Sequence, residues 1–330
     1  MDPDRLSEAL DLVEVRSVLT GGVAARGGWW ARGPLADPVK FFAMVSGRAR
    51  LTTDGVVEPI DLVAGDVAIL TGRSWVAFEA GAAPRHEIQP ESDFSTARFA
   101  GSDPAVDDVV IGGCVSVNEA GRTLLLESLP PVAHIRSSAA GDGDRLLAAL
   151  LRLFDEATGD RLGSAFAIRQ YGQLLLLEVL RCYVDQTLLP SGWLRLLVDE
   201  RLRPAVDLLH GRPEHAWGLQ ELARAAAMSR TAFAERFREA AGVPPLTYLG
   251  RWRMLLAQRA LRNGDARVAA LAAELGYGSE SAFSTAFKRV VGESPQRYRT
   301  RVRQEAVPIA GRDGDQPARG NTAYAQVSSL

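Results

Sequence analysis

The chain carries one pattern twice, first as Leu219-Gln-Glu-Leu-Ala-Arg-Ala-Ala-Ala-Met-Ser-Arg-Thr-Ala-Phe-Ala-Glu-Arg-Phe237 and again as Val268-Ala-Ala-Leu-Ala-Ala-Glu-Leu-Gly-Tyr-Gly-Ser-Glu-Ser-Ala-Phe-Ser-Thr-Ala-Phe287. In each copy the apolar spacing predicts a short amphipathic helix that turns Leu222 or Leu271 inward and places a small residue where a second helix crosses. A tight turn and a second helix follow. The pattern therefore predicts two helix-turn-helix units.

The turn in each copy requires a residue that tolerates the left-handed backbone conformation. Gly276 meets this requirement in the second copy. The equivalent position in the first copy is Ala227, which costs about 1 kcal/mol if the geometry is kept. Ser229 and Ser279 come after the turns and fit the N-cap of the next helix, because a hydroxyl accepts hydrogen bonds from the free backbone amides there.

The second helix of each copy buries two phenylalanines one turn apart and leaves its other residues outside. The buried pairs are Phe233 with Phe237 and Phe283 with Phe287. The outward positions are Arg230, Thr231, Ala234, Glu235 and Arg238 in the first copy, and Glu280, Ser281, Ser284, Thr285 and Lys288 in the second. A recognition helix enters the major groove with its N-terminus first, so the early positions reach base edges and the later basic ones reach phosphate.

One helix is predicted between the two units, from Pro245 to Asn263. Its apolar side consists of Leu246, Leu249, Trp252, Leu255, Leu256 and Leu261. At 1.5 Å per residue this helix spans about 28 Å, close to the roughly 34 Å between successive major grooves on one face of DNA. The linker helix would therefore set the spacing of the two units.

A plain helical bundle with phenylalanines in its core is the alternative reading of this region. One helix-turn-helix pattern alone would leave the two readings evenly matched. The pattern occurs in two copies, whose Ala223 and Ala272 lie 49 residues apart with a helix between them. This repetition favours the DNA-reading interpretation.

The repeated region also resembles a known family. The run Gly276-Tyr-Gly-Ser-Glu-Ser-Ala-Phe283 and the closing Gly292-Glu-Ser-Pro-Gln-Arg-Tyr-Arg299 are similar to the DNA-binding domain of AraC/XylS-type transcription regulators. The resemblance covers residues 200–303 and departs from the family pattern at Ala227. It implies an all-α domain that binds double-stranded DNA.

The chain of 330 residues is long enough for two domains with separate hydrophobic cores. Charge is distributed unevenly along it. Residues 201–305 contain 18 lysines and arginines against 10 acidic residues, whereas the rest of the chain contains 20 against 30. A basic module attached to an acidic one is typical of a phosphate-binding domain carried by a separate sensor domain. A solvated surface without a partner is the alternative that charge alone leaves open.

Other classes of protein are disfavoured. Cys114 and Cys182 stand apart from each other and from the four histidines, so they predict neither a disulfide framework nor a metal site. The segment Met1-Asp-Pro-Asp-Arg5 lacks the pattern of a secretory signal. The most apolar segment, Leu174–Leu180, is short and interrupted by charge, which argues against a membrane span. We expect a cytoplasmic protein without a cofactor.

Residues 4–13 predict a short helix, and the segment after it predicts strands cut by glycine, proline and aspartate. The strand candidates are Lys40–Val45, Ala49–Thr53, Val56–Val63, Val67–Leu70, Trp75–Phe78, Phe94–Phe99, Val109–Val115 and Thr123–Leu126. Strands at this spacing favour an antiparallel barrel or sandwich. Asp54-Gly55 and Ala64-Gly-Asp66 are turn signals between them.

The order of these turns resembles the cupin-type sensor domain that precedes some AraC-like DNA-binding domains. Cupin enzymes hold a metal with a His-x-His pair, a carboxylate and a later histidine. Here Lys40-Phe41-Phe42 stands at the pair and Trp75 or Val76 at the later position, and none of these side chains replaces an imidazole ligand. The resemblance thus implies a metal-free binding or scaffolding module.

An effector pocket in this module has four aromatic candidates, with ordinary core packing as the alternative. They are Trp29, Trp30, Phe41 and Phe42.

Two longer helices are predicted after the strands, from Asp144 to Thr158 and from about Ala165 to Thr187. The second is apolar over so wide an arc that it must bury more than one side. Its further side invites either a second copy of the chain or packing within the same copy. In the resembled family such helices form the dimer contact, so we expect a homodimer.

We therefore expect an α+β protein in four parts. Residues 1–190 form a cupin-like antiparallel β-barrel with flanking helices, and 191–199 form a connector. Residues 200–303 form an all-α domain of two helix-turn-helix units joined by a linker helix, and 304–330 form a disordered tail.

The leading functional hypothesis is a sequence-specific transcription regulator. Phosphate contacts are assigned to Arg238, Arg253, Lys288 and Arg297. Arg230 fits a guanine and Glu280 a cytosine amino group, although both also fit helix caps or surface charges. The implied partners are double-stranded DNA, a small-molecule effector, a second copy, and RNA polymerase if the protein is an activator. The alternatives are a cupin-type enzyme with a regulatory DNA-binding appendage, for which catalytic ligands are lacking, and an adaptor that no longer binds DNA.

Overall fold

The structure is a computed structural model that describes residues 5–13, 15–90, 102–126, 129–137, 142–159, 161–186, 189–264 and 266–306. The chain divides into two compact units, Met1–Leu255 and Leu256–Leu330. This division falls inside the predicted linker helix and not at residues 191–199. The domain connector expected at 191–199 therefore stays a prediction. The strand predicted at Phe94–Phe99 and the tail beyond Ala306 lie outside the described residues.

The first unit opens with helix α1 (Arg5–Leu10), as expected, and continues into strands. The strands are β1 (Val15–Ala25), β2 (Trp29–Pro34), β3 (Val39–Ser46), β4 (Arg48–Thr53), β5 (Ile60–Val63), β6 (Val67–Thr71), β7 (Trp75–Ala80), β8 (His86–Glu87), β9 (Asp108–Val117) and β10 (Val132–Ile135). Gly55 and Gly65 adopt positive φ angles of 73° and 92° at the two predicted turns. Only the second half of the run predicted at Val56–Val63 is a strand.

The strands form two five-stranded sheets that enclose a common core. Their orders are β1-β9-β3-β6-β10 and β5-β4-β7-β2-β8. The pairings are antiparallel except for the short contact between β2 and β8. Buried side chains from both sheets meet between them, among them Trp29, Met44, Leu51, Phe78 and Val110. The predicted barrel is thus realised as a two-sheet antiparallel sandwich.

One predicted strand is wrong. The strand predicted at Thr123–Leu126 is absent, because Thr123 and Leu124 end helix α2 (Glu119–Leu124) and Leu125 is its C-cap. The helix begins at Asn118, whose side-chain oxygen accepts a hydrogen bond from the amide of Gly121 at 2.9 Å. This N-cap commits the segment to a helix, and the apolar residues that suggested a strand are its buried side.

Helices α3 (Asp142–Thr158) and α4 (Ser164–Gln186) match the two predicted long helices. They pack against each other, and both contact the sheet that contains β1, β3 and β10. The outer face of that sheet is therefore covered by helices.

The remaining helices follow the predicted order. They are α5 (Trp193–Val198), α6 (Arg203–Gly211), α7 (Leu219–Ala225), α8 (Arg230–Ala241), α9 (Pro245–Asn263), α10 (Val268–Glu274), α11 (Glu280–Val291) and α12 (Pro295–Ala306). Helix α9 has the predicted bounds of the linker helix. Helix α12 continues to Ala306, into the start of the predicted tail. Among the described residues, no helix combines the length and the apolar composition that crossing a bilayer requires.

His210 is a buried polar residue in the helical part of the first unit. Its ring stacks on Trp252, with centroids 3.8 Å apart and planes 6° from parallel, and its Nε2 lies 2.7 Å from the Tyr248 hydroxyl. Burial lowers the pKa of His210 to about 3, with the nearby charge of Arg5 as a smaller cause. Burial also raises the pKa of the Tyr248 hydroxyl. The folded protein therefore holds a neutral imidazole in this stack.

The free energy of unfolding should fall as the pH drops below neutrality. The unfolded chain protonates this histidine near pH 6.5, whereas the folded chain resists protonation down to about pH 3. The stability that the neutral imidazole contributes is therefore complete above pH 6.5 and is lost as the pH falls below that value. His210 alone should account for about 1 kcal/mol between pH 7 and about pH 5.5. Urea unfolding at a series of pH values measures this slope.

The matched variants are His210→Gln and His86→Gln, since His86 is exposed on β8. The first should flatten the pH dependence, whatever its effect on absolute stability, and the second should leave the slope unchanged. A slope that persists in His210→Gln would contradict the assignment.

Candidate DNA-binding interface

The first helix-turn-helix unit consists of α7, a left-handed turn and α8. Ala227 has a φ of 51° and is the non-glycine residue with positive φ in the described part of the chain. The amide of Met228 donates to the carbonyl of Ala223 at 2.9 Å, which folds the chain back on α7. Ser229 then caps α8, its Oγ accepting from the amide of Ala232 at 3.2 Å. The predicted turn and cap are both confirmed.

The second helix-turn-helix unit, which consists of α10, a turn and α11, repeats these hydrogen bonds. Gly276 has a φ of 75°, and the amide of Tyr277 donates to the carbonyl of Ala272 at 2.8 Å. Ser279 caps α11, its Oγ accepting from the amide of Ala282 at 3.1 Å. The second copy contains one extra residue, Gly278, between the turn and the cap. Both copies nevertheless start their second helix in the same way.

Each helix-turn-helix unit is built around a cluster of aromatic rings. Phe233 and Phe237 are fully buried with ring centroids 5.7 Å apart, and Phe237 also packs edge-on against Tyr248 at 5.6 Å. In the second helix-turn-helix unit the ring centroid of Phe287 lies 5.8 Å from that of Phe283 and 5.6 Å from that of Tyr298. The repeat therefore extends beyond the predicted pairs into the helix that follows each unit, which begins in both cases at a proline.

The predicted outward residues lie on the open side of both second helices. Of those in α8, Ala234 is half-buried, and the exposed ones are Arg230, Thr231, Glu235 and Arg238. Of those in α11, Ser284 is half-buried, and the exposed ones are Glu280, Ser281, Thr285 and Lys288. The first turn of each helix also presents backbone amides, which gives that end a partial positive charge. Each open side can therefore approach a polyanion.

Two of the predicted phosphate contacts are placed differently from each other. Arg297 is exposed in the first turn of α12, and its backbone amide donates to Ser294 Oγ at 3.4 Å. Arg253 instead lies inward. Its guanidinium donates to the carbonyls of Pro213 at 2.6 Å and His215 at 3.0 Å, so it holds the loop before α7. The local sequence of α9 gives no signal for this role, because both partners lie about 40 residues earlier in the chain.

Sequence reasoning missed the anchor of the first recognition helix. Arg236, on the inner side of α8, pairs with Asp199 at 2.9 Å. Asp199 also accepts from the amides of Arg201 and Leu202 and is largely buried. The contact joins positions 37 residues apart, and no local pattern marks it.

A cavity of about 190 Å³ lies between the two sheets. Its walls include Val23, Ala31, Val76 and Val110, and Gly112 lines it as well. Two cationic side chains, Lys40 and Arg32, also line the cavity. The Nζ of Lys40, which is largely buried, lies 3.0 Å from Thr20 Oγ1 and 2.9 Å from Asp37 Oδ2. Most of the remaining lining is apolar.

Of the four aromatic candidates for an effector pocket, only Phe42 lines this cavity. Trp29 is fully buried, and its indole N–H donates to Asp108 at 2.9 Å, so it is a core residue. Trp30 points to the exposed side and Phe41 to the helix-covered side of its sheet. Successive strand residues face opposite ways, so adjacent aromatics cannot share one pocket. Among the described residues, no group of three metal-ligating side chains comes together.

Comparison with known proteins places both parts of the chain. Residues 4–185 match a family model described as cupin, and residues 222–301 match one described as a helix-turn-helix domain. The chain is 38% identical over 306 residues to a protein of Streptomyces antibioticus named as an AraC-like transcription regulator, an alignment that covers 91% of this chain and 98% of that one. A protein of the same description from Streptomyces lividans is 37% identical over the same shares.

Among solved structures, the chain is similar to the DNA-binding domain of AdpA, described as a global transcriptional factor and crystallised with a target DNA. The two are 33% identical, with a TM-score of 0.31, over 33% of this chain and 97% of that one.

Substitutions at the two turn residues should change the free energy of unfolding in opposite directions. Ala227→Gly relieves a left-handed φ that an alanine side chain disfavours, and should raise the free energy of unfolding by about 0.5–1 kcal/mol. Gly276→Ala should lower it by about 1 kcal/mol. Chemical denaturation measures both changes.

Ala225→Gly is the control, because this residue ends α7 in ordinary helical geometry. Glycine there should destabilise by about 0.5–1 kcal/mol. If Ala227→Gly destabilised the protein as Ala225→Gly does, the strained turn would be disproved.

Proposed function

This chain belongs to the AraC-like transcription regulators, and on that basis we propose that α8 and α11 are the recognition helices that bind its specific site on double-stranded DNA. The observation that supports this most is the pair of units with one geometry, each presenting the capped N-terminus and open side of its second helix. Helix α9 is continuous over 19 residues, about 28 Å at 1.5 Å per residue. That length supports entry of the two helices into successive major grooves, roughly 34 Å apart.

Contacts to DNA divide into two classes by position. Residues of the first helical turns, Arg230 and Thr231 in α8 and Glu280 and Ser281 in α11, are proposed to read base edges. Arginine fits the two acceptors of guanine, and glutamate fits the amino group of cytosine. Arg238, Lys288 and Arg297, near helix ends on the exposed side, are proposed to contact phosphate, which supplies affinity without sequence preference.

The cavity between the sheets is the proposed effector site. Its apolar walls suit the body of a small molecule, and Lys40 suits an acceptor group on it. We propose that the two sheets bind an effector and transmit the effect of its binding. We also propose that they catalyse no reaction, since the predicted metal positions carry Lys40, Phe41 and Phe42. The protein would act in the cytoplasm, and an activating role would add RNA polymerase as a partner.

Self-association is proposed to use the exposed stripe of α4. Phe166 and Leu174 are 63% and 54% exposed there, with Gln170 and Gln173 between them, and the guanidinium of Arg169 lies over the Phe166 ring at 5.7 Å. Leu151 of α3 adds a further exposed apolar side chain. Exposed apolar side chains of this kind are typical of a helix-helix interface between copies.

The DNA prediction compares Arg230→Ala and Glu280→Ala with Arg238→Ala, on a duplex selected from a random pool by the wild-type protein and on unrelated duplex. The two early-turn variants should lose about 10- to 100-fold affinity for the selected duplex and almost none for unrelated DNA. Arg238→Ala should weaken both about equally and reduce the salt slope by about 1. Equal losses on both duplexes for Arg230→Ala and Glu280→Ala would refute their base-reading role.

The dimer prediction uses Phe166→Glu with Leu174→Glu. Charges on the stripe should shift sedimentation equilibrium from dimer to monomer without loss of helical circular dichroism, because both side chains are exposed in the single chain. Val57→Glu is the control, since this valine is 98% exposed on a loop between strands. A dimer that survives the double change would exclude α4 as the contact.

A further inference from the structure

Helix α1 connects the sandwich to the helices that precede the first helix-turn-helix unit. At its start, the Arg5 guanidinium donates from Nη1 to the carbonyl of Leu197 at 3.2 Å and pairs through Nε with Asp207 of α6 at 2.7 Å. Just after its end, the carbonyl of Leu12 accepts a hydrogen bond from the side-chain amide of Asn118, the residue that follows β9, at 2.9 Å. The α1 segment is therefore bonded to both regions.

The contact with Leu197 satisfies the C-terminal end of α5. The last four carbonyls of a helix have no partner within it, and the Leu197 carbonyl is one of these in α5 (Trp193–Val198). A guanidinium is also favourable there, because the C-terminal end of a helix carries a partial negative charge. The Arg5 side chain is only 18% exposed, so little water competes for the contact. Arg5 thus fixes this end of α5.

Helix α5 is in turn bonded to the first recognition helix at two places. The Asp199 carboxylate, directly after α5, pairs with Arg236 of α8 at 2.9 Å. The amide of Gly192, directly before α5, donates to the carbonyl of Ala240 at 2.8 Å. The Asp199 side chain is only 12% exposed, so the carboxylate is largely withdrawn from solvent. A continuous set of contacts therefore runs from the sandwich through α1 and α5 to α8.

The second helix-turn-helix unit differs at the matching positions. When the two copies are aligned on their buried phenylalanines, Arg236 corresponds to Ala286 and Ala240 corresponds to Val290. Alanine offers no charge for an ion pair, and Val290 is 47% exposed where Ala240 is 2% exposed. Among the described residues, the contacts that hold α8 on α5 thus have no equivalent at these positions of α11.

We propose that Arg5 is a positioning residue for DNA recognition by the first helix-turn-helix unit. Through α5 it fixes the orientation of α8, and it leaves α11 unaffected. This inference rests on the proposed function of α8 and α11 as recognition helices. It assigns to a residue in front of the sandwich an effect on one half of the DNA-binding surface.

The effect of Arg5 should appear in the choice between base pairs. A bidentate contact to a base edge requires a fixed orientation of its helix, whereas a phosphate contact carries no sequence information. A loosely held α8 must be ordered on the correct base pair, which costs free energy, whereas on a wrong base pair it stays loose. The difference in affinity between the two base pairs then shrinks.

The test uses the full-length chain and the duplex that the wild-type protein selects from a random pool. Each base pair of this duplex is replaced in turn, and the loss of affinity measures the discrimination at that position. The base pairs at which Arg230→Ala no longer discriminates are the α8 positions, and those at which Glu280→Ala no longer discriminates are the α11 positions. The wild-type protein should discriminate about 10- to 100-fold at both sets.

Arg5→Gln should lower discrimination at the α8 positions about three- to tenfold and leave it within about twofold at the α11 positions. Arg5→Lys should give a result between Arg5→Gln and the wild-type protein. An ammonium keeps the ion pair with Asp207 but does not reproduce the fork that also reaches Leu197. A general loss of stability would instead reduce the active fraction and leave discrimination unchanged at both sets of positions.

Asp199→Asn, alone and combined with Arg5→Gln, tests the route through α5. Asparagine cannot form the ion pair with Arg236, so this variant should show the same selective loss. The double variant should lose no more than the larger of the two single losses, because both changes break one set of contacts. Arg26→Gln is the matched control, since Arg26 pairs with Asp107 at 2.8 Å within the sandwich. It should leave discrimination unchanged at both sets.

Three results would overturn the inference. They are equal losses of discrimination at both sets of positions, no loss at either set with Arg5→Gln, and additive losses in the double variant. The proposed function has a separate point of failure. If neither Arg230→Ala nor Glu280→Ala assigns any base pair, the proposed reading of DNA by α8 and α11 fails, and the role of Arg5 fails with it.

Discussion

One backbone constraint, the left-handed residue between paired helices, determines where each recognition helix points. The residue after that turn donates its amide back to the first helix, to Ala223 in one unit and to Ala272 in the other. Both acceptors are alanines that are buried where the helices cross, and a larger side chain there would hold the helices apart. The aromatic clusters around Phe237 and Phe287 then fix the rotation of the second helix. Which side chains face outward follows from these three features together.

The helical half of the chain was predictable because its determinants are local. Turn residue, serine cap and phenylalanine pair lie within about 15 residues of one another, and each has a physical reason that holds without the rest of the fold. The family model and the relatives confirm the fold class and the family, and the structure confirms the caps, the buried pairs and the bounds of α9. The repeat was decisive because two copies of one local solution do not arise from core packing alone.

The errors have two causes, local signals that were not used and contacts that only the fold brings together. The run Thr123–Leu126 contains apolar residues that suit a strand or a helix, and the cap at Asn118 favours the helix. The four aromatic candidates do not come together, for a reason that the sequence did contain, since adjacent strand residues point to opposite faces. The inward position of Arg253 had no such signal, because its partners at 213 and 215 are backbone carbonyls brought close only by the fold. The largely buried amine of Lys40 was likewise visible only in the folded sheets.

The distribution of arginines shows why the basic excess of this region overstates its capacity for phosphate. Several guanidinium groups there satisfy buried or terminal carbonyls and carboxylates instead: Arg236 pairs with Asp199, Arg299 donates to Ala266, and Arg303 donates to Gly264. The salt dependence of DNA binding should reflect only the cations that remain exposed near helix ends. Asp199 has a further consequence, because α5 is held on α8 at both ends, by this ion pair and by the amide of Gly192 donating to the carbonyl of Ala240 at 2.8 Å. Helix α5 and the first recognition helix therefore behave as one body, and whatever holds α5 also holds the DNA-reading surface.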